Sequence, residues 1–219
     1  MMKKFIKQLF FSSQRPNKIL SGVSSGMITN YNPQDRTLHL LGLYEREIYP
    51  YLKRSMARAE TLVDIGANDG YYGLAFVKHV GKEVILCEPG DEKENLKKNL
   101  KLNGFGEGKD YTLVDKFVSN RTGATEISLN ELLKNRQKIF ILMDVDGGEQ
   151  DIVEHYTFSS AVKIDWLIET HSLELEQNVS NVLMKNGYKV KIIGNAWWRK
   201  FVPEKRPLAH NQWMYAVKD

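Results

Sequence analysis

From residue 61 onward the chain alternates short apolar runs with segments whose apolar side chains recur every three or four positions. The runs at 61–65, 83–88, 111–118, 138–145, 164–170, 188–193 and 213–217 predict strands. The segments at 71–79, 91–102, 129–136, 149–156 and 173–186 predict helices, and 44–59 has helical character ahead of the first strand. Ser128 followed three residues later by Glu131 has the form of a capping box for the helix that begins there. Strands alternating with helices predict a doubly wound, Rossmann-like α/β fold with a parallel sheet covered on both faces.

Before this pattern lies an extension, residues 1–45, with the main domain expected over 46–219. The start, Met1-Met2-Lys3-Lys4-Phe5-Ile6-Lys7-Gln8-Leu9-Phe10-Phe11, superficially resembles a signal peptide. Its apolar run is interrupted by Lys7 and Gln8, and no small-residue cleavage site follows. A short amphipathic helix packed on the domain is the expectation, and residues 12–32, rich in Ser, Gly, Asn and Pro, read as loop. Nothing approaches a membrane span. The single cysteine, Cys87, rules out an intramolecular disulfide and favours a reducing, cytoplasmic home.

The 219 residues fit one domain of ordinary globular composition, 42% hydrophobic and 26% charged. A net charge of +4 hides an uneven distribution. Residues 1–60 hold 10 basic and 4 acidic side chains, 61–184 hold 13 and 21, and 185–219 hold 8 and 2. The acidic middle carries −8 and each end +6, so nucleic acid is a weaker partner than the overall sign suggests.

The most informative stretch is Asp64-Ile65-Gly66-Ala67-Asn68-Asp69-Gly70-Tyr71-Tyr72, a buried strand running through a glycine turn into a helix. Glycine lets backbone approach a ligand closely, and a helix start offers free N–H groups. The Gly66–Gly70 spacing is not that of a diphosphate-binding dinucleotide loop, which disfavours an NAD-linked enzyme. Glu88, 22 residues after Gly66 at the end of the second strand, is placed to accept ribose hydroxyls. A carboxylate at each of the first two strand ends suits a cationic cofactor with a ribose, and S-adenosylmethionine has both. Asp64, Gly66, Asn68, Gly70, Tyr72, Glu88, Val118 and Asp144 are the expected cofactor residues.

These motifs, with Glu88-Pro89, Asn99, Asn103-Gly104, Ser128-Leu129-Asn130-Glu131-Leu132-Leu133, Met143-Asp144-Val145-Asp146-Gly147-Gly148-Glu149 and Leu167-Ile168-Glu169-Thr170-His171, resemble the FkbM family of class I methyltransferases. The similarity runs from about residue 42 to 190, and the family usually has Glu in place of Asp146. The resemblance implies a seven-stranded sheet whose last strand is antiparallel, S-adenosylmethionine as cofactor, and methylation of a hydroxyl on a small molecule or glycan.

Beyond the cofactor loop, Asp144 and Asp146 share a face if their strand continues, as do Glu169 and His171 on the next. Methyl transfer to oxygen needs alignment and a proton acceptor. His171 is the expected base, with Asp144 and Glu169 beside it. An alternative is Mg²⁺ held by Asp144, Asp146 and Glu169. Trp197-Trp198 offers a substrate lid, packing against the N-terminal helix or a subunit contact of a homo-oligomer, and Lys205-Arg206 with His210 adds positive charge nearby. Competing readings are an RNA or protein methyltransferase, whose basic ends would grip the acceptor, and a non-catalytic cofactor-binding module. The absence of an Asn-Pro-Pro-Tyr or Asp-Pro-Pro-Tyr tetrapeptide disfavours amino-group methylation.

Overall fold

The computed structural model describes residues 11–218 apart from 13, 80, 195 and 197–210. The predicted helix at the start (save Phe11), Trp197-Trp198, Lys205-Arg206 and His210 lie outside the described residues.

Before the main domain, β1 (Asn17–Lys18) and β2 (Ile28–Thr29) form a two-residue antiparallel ladder within the expected loop, followed by α1 (Thr37–Leu41). The predicted helix at 44–59 is shorter. A 3₁₀ turn at Arg46–Ile48 leads into α2 (Tyr49–Arg58), with Pro50 in its first turn. Proline lacks an N–H and is tolerated only at a helix start, so the α-helix begins there.

The main domain then runs β3 (Thr61–Ile65), α3 (Tyr71–Val77), β4 (Glu83–Cys87), α4 (Lys93–Leu102), β5 (Thr112–Val114), β6 (Phe117–Ser119), β7 (Glu126–Ser128) and α5 (Leu129–Leu132). It continues through β8 (Lys138–Met143), α6 (Glu149–Glu154), β9 (Lys163–Thr170), α7 (Leu173–Lys185), β10 (Lys189–Ile193) and β11 (Gln212–Val217). Seven strands make one sheet in the order β10-β11-β9-β8-β3-β4-β5, and β11 is antiparallel to both neighbours. The strand order reverses beside β3, where a crevice opens at the carboxyl ends of the strands.

Every position of β3 is buried, as expected of a parallel strand covered on both faces. Leu62, Leu86, Phe140 and Leu167 pack one way, against α2 to α4. Val63, Ile85, Ile141 and Trp166 pack the other way, against α5 to α7. Phe11, Ile19, Val23, Tyr31 and Leu40 belong to the first of these cores, so the extension shares the domain's interior. Among the described residues no helix is long and apolar enough to cross a membrane.

Two strand boundaries differ from the sequence pattern. The run at 111–118 divides: β5 ends at Val114, and β6 pairs in parallel with β7 as a separate ladder. The break is charged, with Asp115 2.5 Å from Lys93 and the Lys116 ammonium donating to the Gly123 carbonyl at 2.7 Å. The fourth expected strand stops at Met143, two residues early. One further ladder bond follows, from Asp144 N–H to the Ile65 carbonyl at 2.9 Å, and the chain then turns through Asp146 at φ 51°.

Candidate active site

The loop after β3 sits against two strand ends. The amides of Gly66 and Ala67 both donate to the Cys87 carbonyl at 3.0 Å. Gly66 has φ 86°, and a Cβ there would fall 1.8 Å from the Asp144 carbonyl oxygen. Only glycine permits that approach, which brings the ends of β3 and β8 together.

Asn68 adopts φ 49°, an uncommon conformation for a residue with a side chain. That turn aims its N–H at Glu88 Oε2, 2.7 Å away, while the Gly90 N–H donates to Oε1 at 2.7 Å. The carboxylate of Glu88 is thus fixed by two amides at the mouth of a cleft, with lone pairs left for a diol.

The cleft has a volume of about 330 Å³, at the low end for small-molecule sites. Gly66, Asn68, Glu88, Val118 and Asp144 line it, as the sequence suggested. Lys116 and Phe117 complete the far wall, and Phe117 leaves 61% of its surface exposed there. Neither was expected, because the pattern read 111–118 as one continuous strand; the charged pair inside an apolar run was the available signal.

Three expected cofactor residues are not on the cleft wall. Asp64 is buried beneath it, its Oδ2 without a hydrogen-bond partner. Burial, then the charges of Asp144 and Glu88, raise its pKa well above the ordinary carboxylate value, so the charged form is disfavoured there. Gly70 turns toward Leu96 of α4. Tyr72 points away, its hydroxyl donating to Glu45 at 2.6 Å. Tyr72 is the half-buried residue of an otherwise buried helix and lies against the extension.

His171 follows directly on β9, its side chain 5% exposed, and it lies behind Asp144 and Asp146 rather than on the cleft wall that they line. Nδ1 lies 2.6 Å from Glu149 Oε1, and Nε2 faces Asp144 Oδ1 and Asp146 Oδ1, each at 3.3 Å. Glu149 opens α6 and is fully buried; sequence reading placed it at a helix start without pairing it with His171. Asp144 and Asp146 do converge on the ring, but through the turn after β8 rather than along a continuing strand. Burial works against a charge on His171, but hydrogen bonds from its ring to Asp144 and Glu149, with their charges, outweigh it and push the pKa up to about 10. Glu169 is buried nearby and accepts from Asn211 Nδ2 at 3.2 Å.

Asp144, Glu169 and His171 each present a ligand atom within 4.8 Å of the others. The trio expected for Mg²⁺ differs, because the imidazole of His171 stands between Asp144 and Asp146, and Asp146 is largely exposed. A hard cation that demands oxygen ligands competes poorly with a charged ring already holding both carboxylates. This donor set does not fit Mg²⁺, and no step is assigned to it.

No protein-family model matches the chain, and no curated protein matches it in sequence. Among solved structures it resembles the METTL16 MTase domain at 14% identity and TM-score 0.56, covering 81% of this chain and 68% of that one. It also resembles an S-adenosylmethionine-dependent O-methyltransferase from Thermotoga maritima (15%, TM-score 0.51, covering 76% of this chain and 63% of that one). A human methyltransferase 10 domain-containing protein gives 12% and 0.51, with coverages of 78% and 81%. At these identities the likeness extends to the fold: the chain has the Rossmann-like, seven-stranded fold of class I S-adenosylmethionine-dependent methyltransferases.

Proposed function

We propose that the protein is an S-adenosylmethionine-dependent O-methyltransferase acting on a hydroxyl of a small molecule or glycan, as its resemblance to the FkbM family suggests. The observation that carries this reading is the cleft itself. One wall holds Glu88 fixed by the Asn68 and Gly90 amides, and where Asp144 lines the cleft it is backed by the buried His171–Glu149 pair. The first suits a ribose diol, the second a hydroxyl that must lose a proton. The buried Asp64 beneath the loop, its Oδ2 unpartnered, and the glycine-tight corner at Gly66 fit a cofactor pressed close to the backbone.

When bound, S-adenosylmethionine supplies an electrophilic methyl on a sulfonium. The chain's own residues align the acceptor and take its proton. Glu149 holds Nδ1 and so fixes the ring, leaving Nε2 toward Asp144 and the cleft. His171 is charged while both carboxylates hold it, so it can accept the acceptor's proton only after a hydroxyl displaces Asp144 from Nε2 and the ring has released its own proton to solvent. Asp144 and Glu169 then complete the polar surround.

The test is methyl transfer from labelled S-adenosylmethionine to a panel of hydroxylated sugars and cell extracts, with the wild type and His171→Ala. Transfer by the wild type and its loss in the variant, with S-adenosylhomocysteine binding retained, is the expected result. Full transfer by His171→Ala at neutral pH would remove the base assignment.

A further inference from the structure

The corner where the cofactor loop enters α3, residues 69–72, is held by side chains from a segment outside the sheet. Ser24 Oγ donates to the Tyr71 carbonyl at 2.6 Å. Tyr31 donates its hydroxyl to Asp69 Oδ1 at 2.8 Å, and the Arg36 guanidinium lies 2.8 Å from Asp69 Oδ2. Glu45, itself at φ 46° and buried, takes the Tyr72 hydroxyl on one oxygen and the Trp213 indole N–H on the other. Asp69 is buried, and burial acts to hold it neutral while Arg36 and Tyr31 counter that pull.

These contacts reach the cleft by a short path. The Asp69 N–H donates to Asn68 Oδ1 at 2.8 Å, and the Asn68 N–H holds Glu88. Asn68 sits in a left-handed conformation that surrounding structure must enforce. Arg36 is not part of the cleft wall. We infer, on the strength of the cofactor reading above, that residues 24–45 are a working part of the cofactor site, with Arg36 a positioning residue that holds Asp69, and through Asn68 sets the carboxylate of Glu88. An extension that merely covered apolar surface would not place a guanidinium and a phenol on the one carboxylate that precedes α3.

Arg36→Ala and Arg36→Lys test this by calorimetric titration with S-adenosylhomocysteine well below the unfolding temperature. Hydrogen exchange of the 68–72 amides, without ligand, is measured alongside. Arg36→Ala should weaken binding about tenfold, within the range by which residues touching no ligand modulate affinity. Its Asn68 amide should exchange faster while the sheet amides stay protected. Arg36→Lys should recover part of both, since one nitrogen makes the 2.8 Å contact. Unchanged affinity and unchanged loop exchange in Arg36→Ala would overturn the inference even if the melting temperature fell. A wild type that fails to bind the ligand, yet whose loop exchange depends on Arg36, would count against the cofactor reading and leave the loop-holding role standing.

Discussion

Glu149→Gln removes one charge from the His171 cluster and keeps the side chain's shape. Glu149 is fully buried with an oxygen 2.6 Å from Nδ1, whereas Asp144 lies 3.3 Å from Nε2 and is 39% exposed. Burial opposes charge on the ring, and the two carboxylates overcome it, lifting the pKa from 6.5 to about 10. At about 1.4 kcal/mol per pH unit, the net preference for the charged ring is a few kcal/mol. The shorter, drier contact should supply the larger part, so Glu149→Gln should lower the His171 pKa by about two pH units. A pKa raised by folding stabilises the folded state fully below the unfolded value, and that stability is lost as pH climbs through the folded one. Wild type should therefore exceed the variant in stability most at about pH 6, with the gap closing by about pH 10.5. Titration of the His171 ring protons by NMR, with urea unfolding at both pH values, measures each part. A wild-type His171 titrating at its ordinary pKa, or one unmoved by Glu149→Gln, would refute the reasoning.

Gly66→Ala should cost about 2–4 kcal/mol in urea unfolding, from backbone strain plus displacement of the Asp144 carbonyl. An Ala variant of wild-type stability would mean that the strand ends are not in contact. Glu88→Ala removes the acceptor for a diol and should weaken S-adenosylhomocysteine binding about a hundredfold, since hydrogen bonds to a charged group contribute about 1.5–3 kcal/mol each. Calorimetry decides it, with thermal unfolding as a check on folding. Treatment with EDTA followed by desalting should leave methyl transfer unchanged, because the imidazole already occupies the carboxylates that Mg²⁺ would need. Activity restored only by added Mg²⁺ would reverse that assignment.

The sheet was legible because buried parallel strands are written as apolar runs, and the register of β3 to β9 follows from them. Gly66, Asn68 and Glu88 were legible for a related reason: glycine at a strand exit and an acid at the next strand end have few other uses together. Tyr72 was misplaced because adjacent tyrosines at a helix start look equivalent in sequence, and only packing shows which hydroxyl meets Glu45. Phe117 escaped notice because β6 continues the apolar run of β5 while belonging to another ladder. Glu149 lies 22 residues from His171, and no local pattern joins a helix start to the end of the following strand. The extension read as loop because its polar residues are common in turns, yet their hydrogen bonds reach across to α3 and α4. Dividing the net charge along the chain marked the acidic middle, and the structure adds that Asp64, Asp69, Glu88, Glu149 and Glu169 within it are buried.

On the proposed reading, the cleft between β3, β4 and β8 holds an adenosyl sulfonium cofactor. Parallel calorimetric titrations with S-adenosylhomocysteine and with NAD address it most directly. Saturable, one-to-one binding of S-adenosylhomocysteine that Glu88→Ala weakens about a hundredfold, with no heat from NAD, is the predicted result. Binding of NAD alone, or of neither ligand by a fully folded protein, would contradict it.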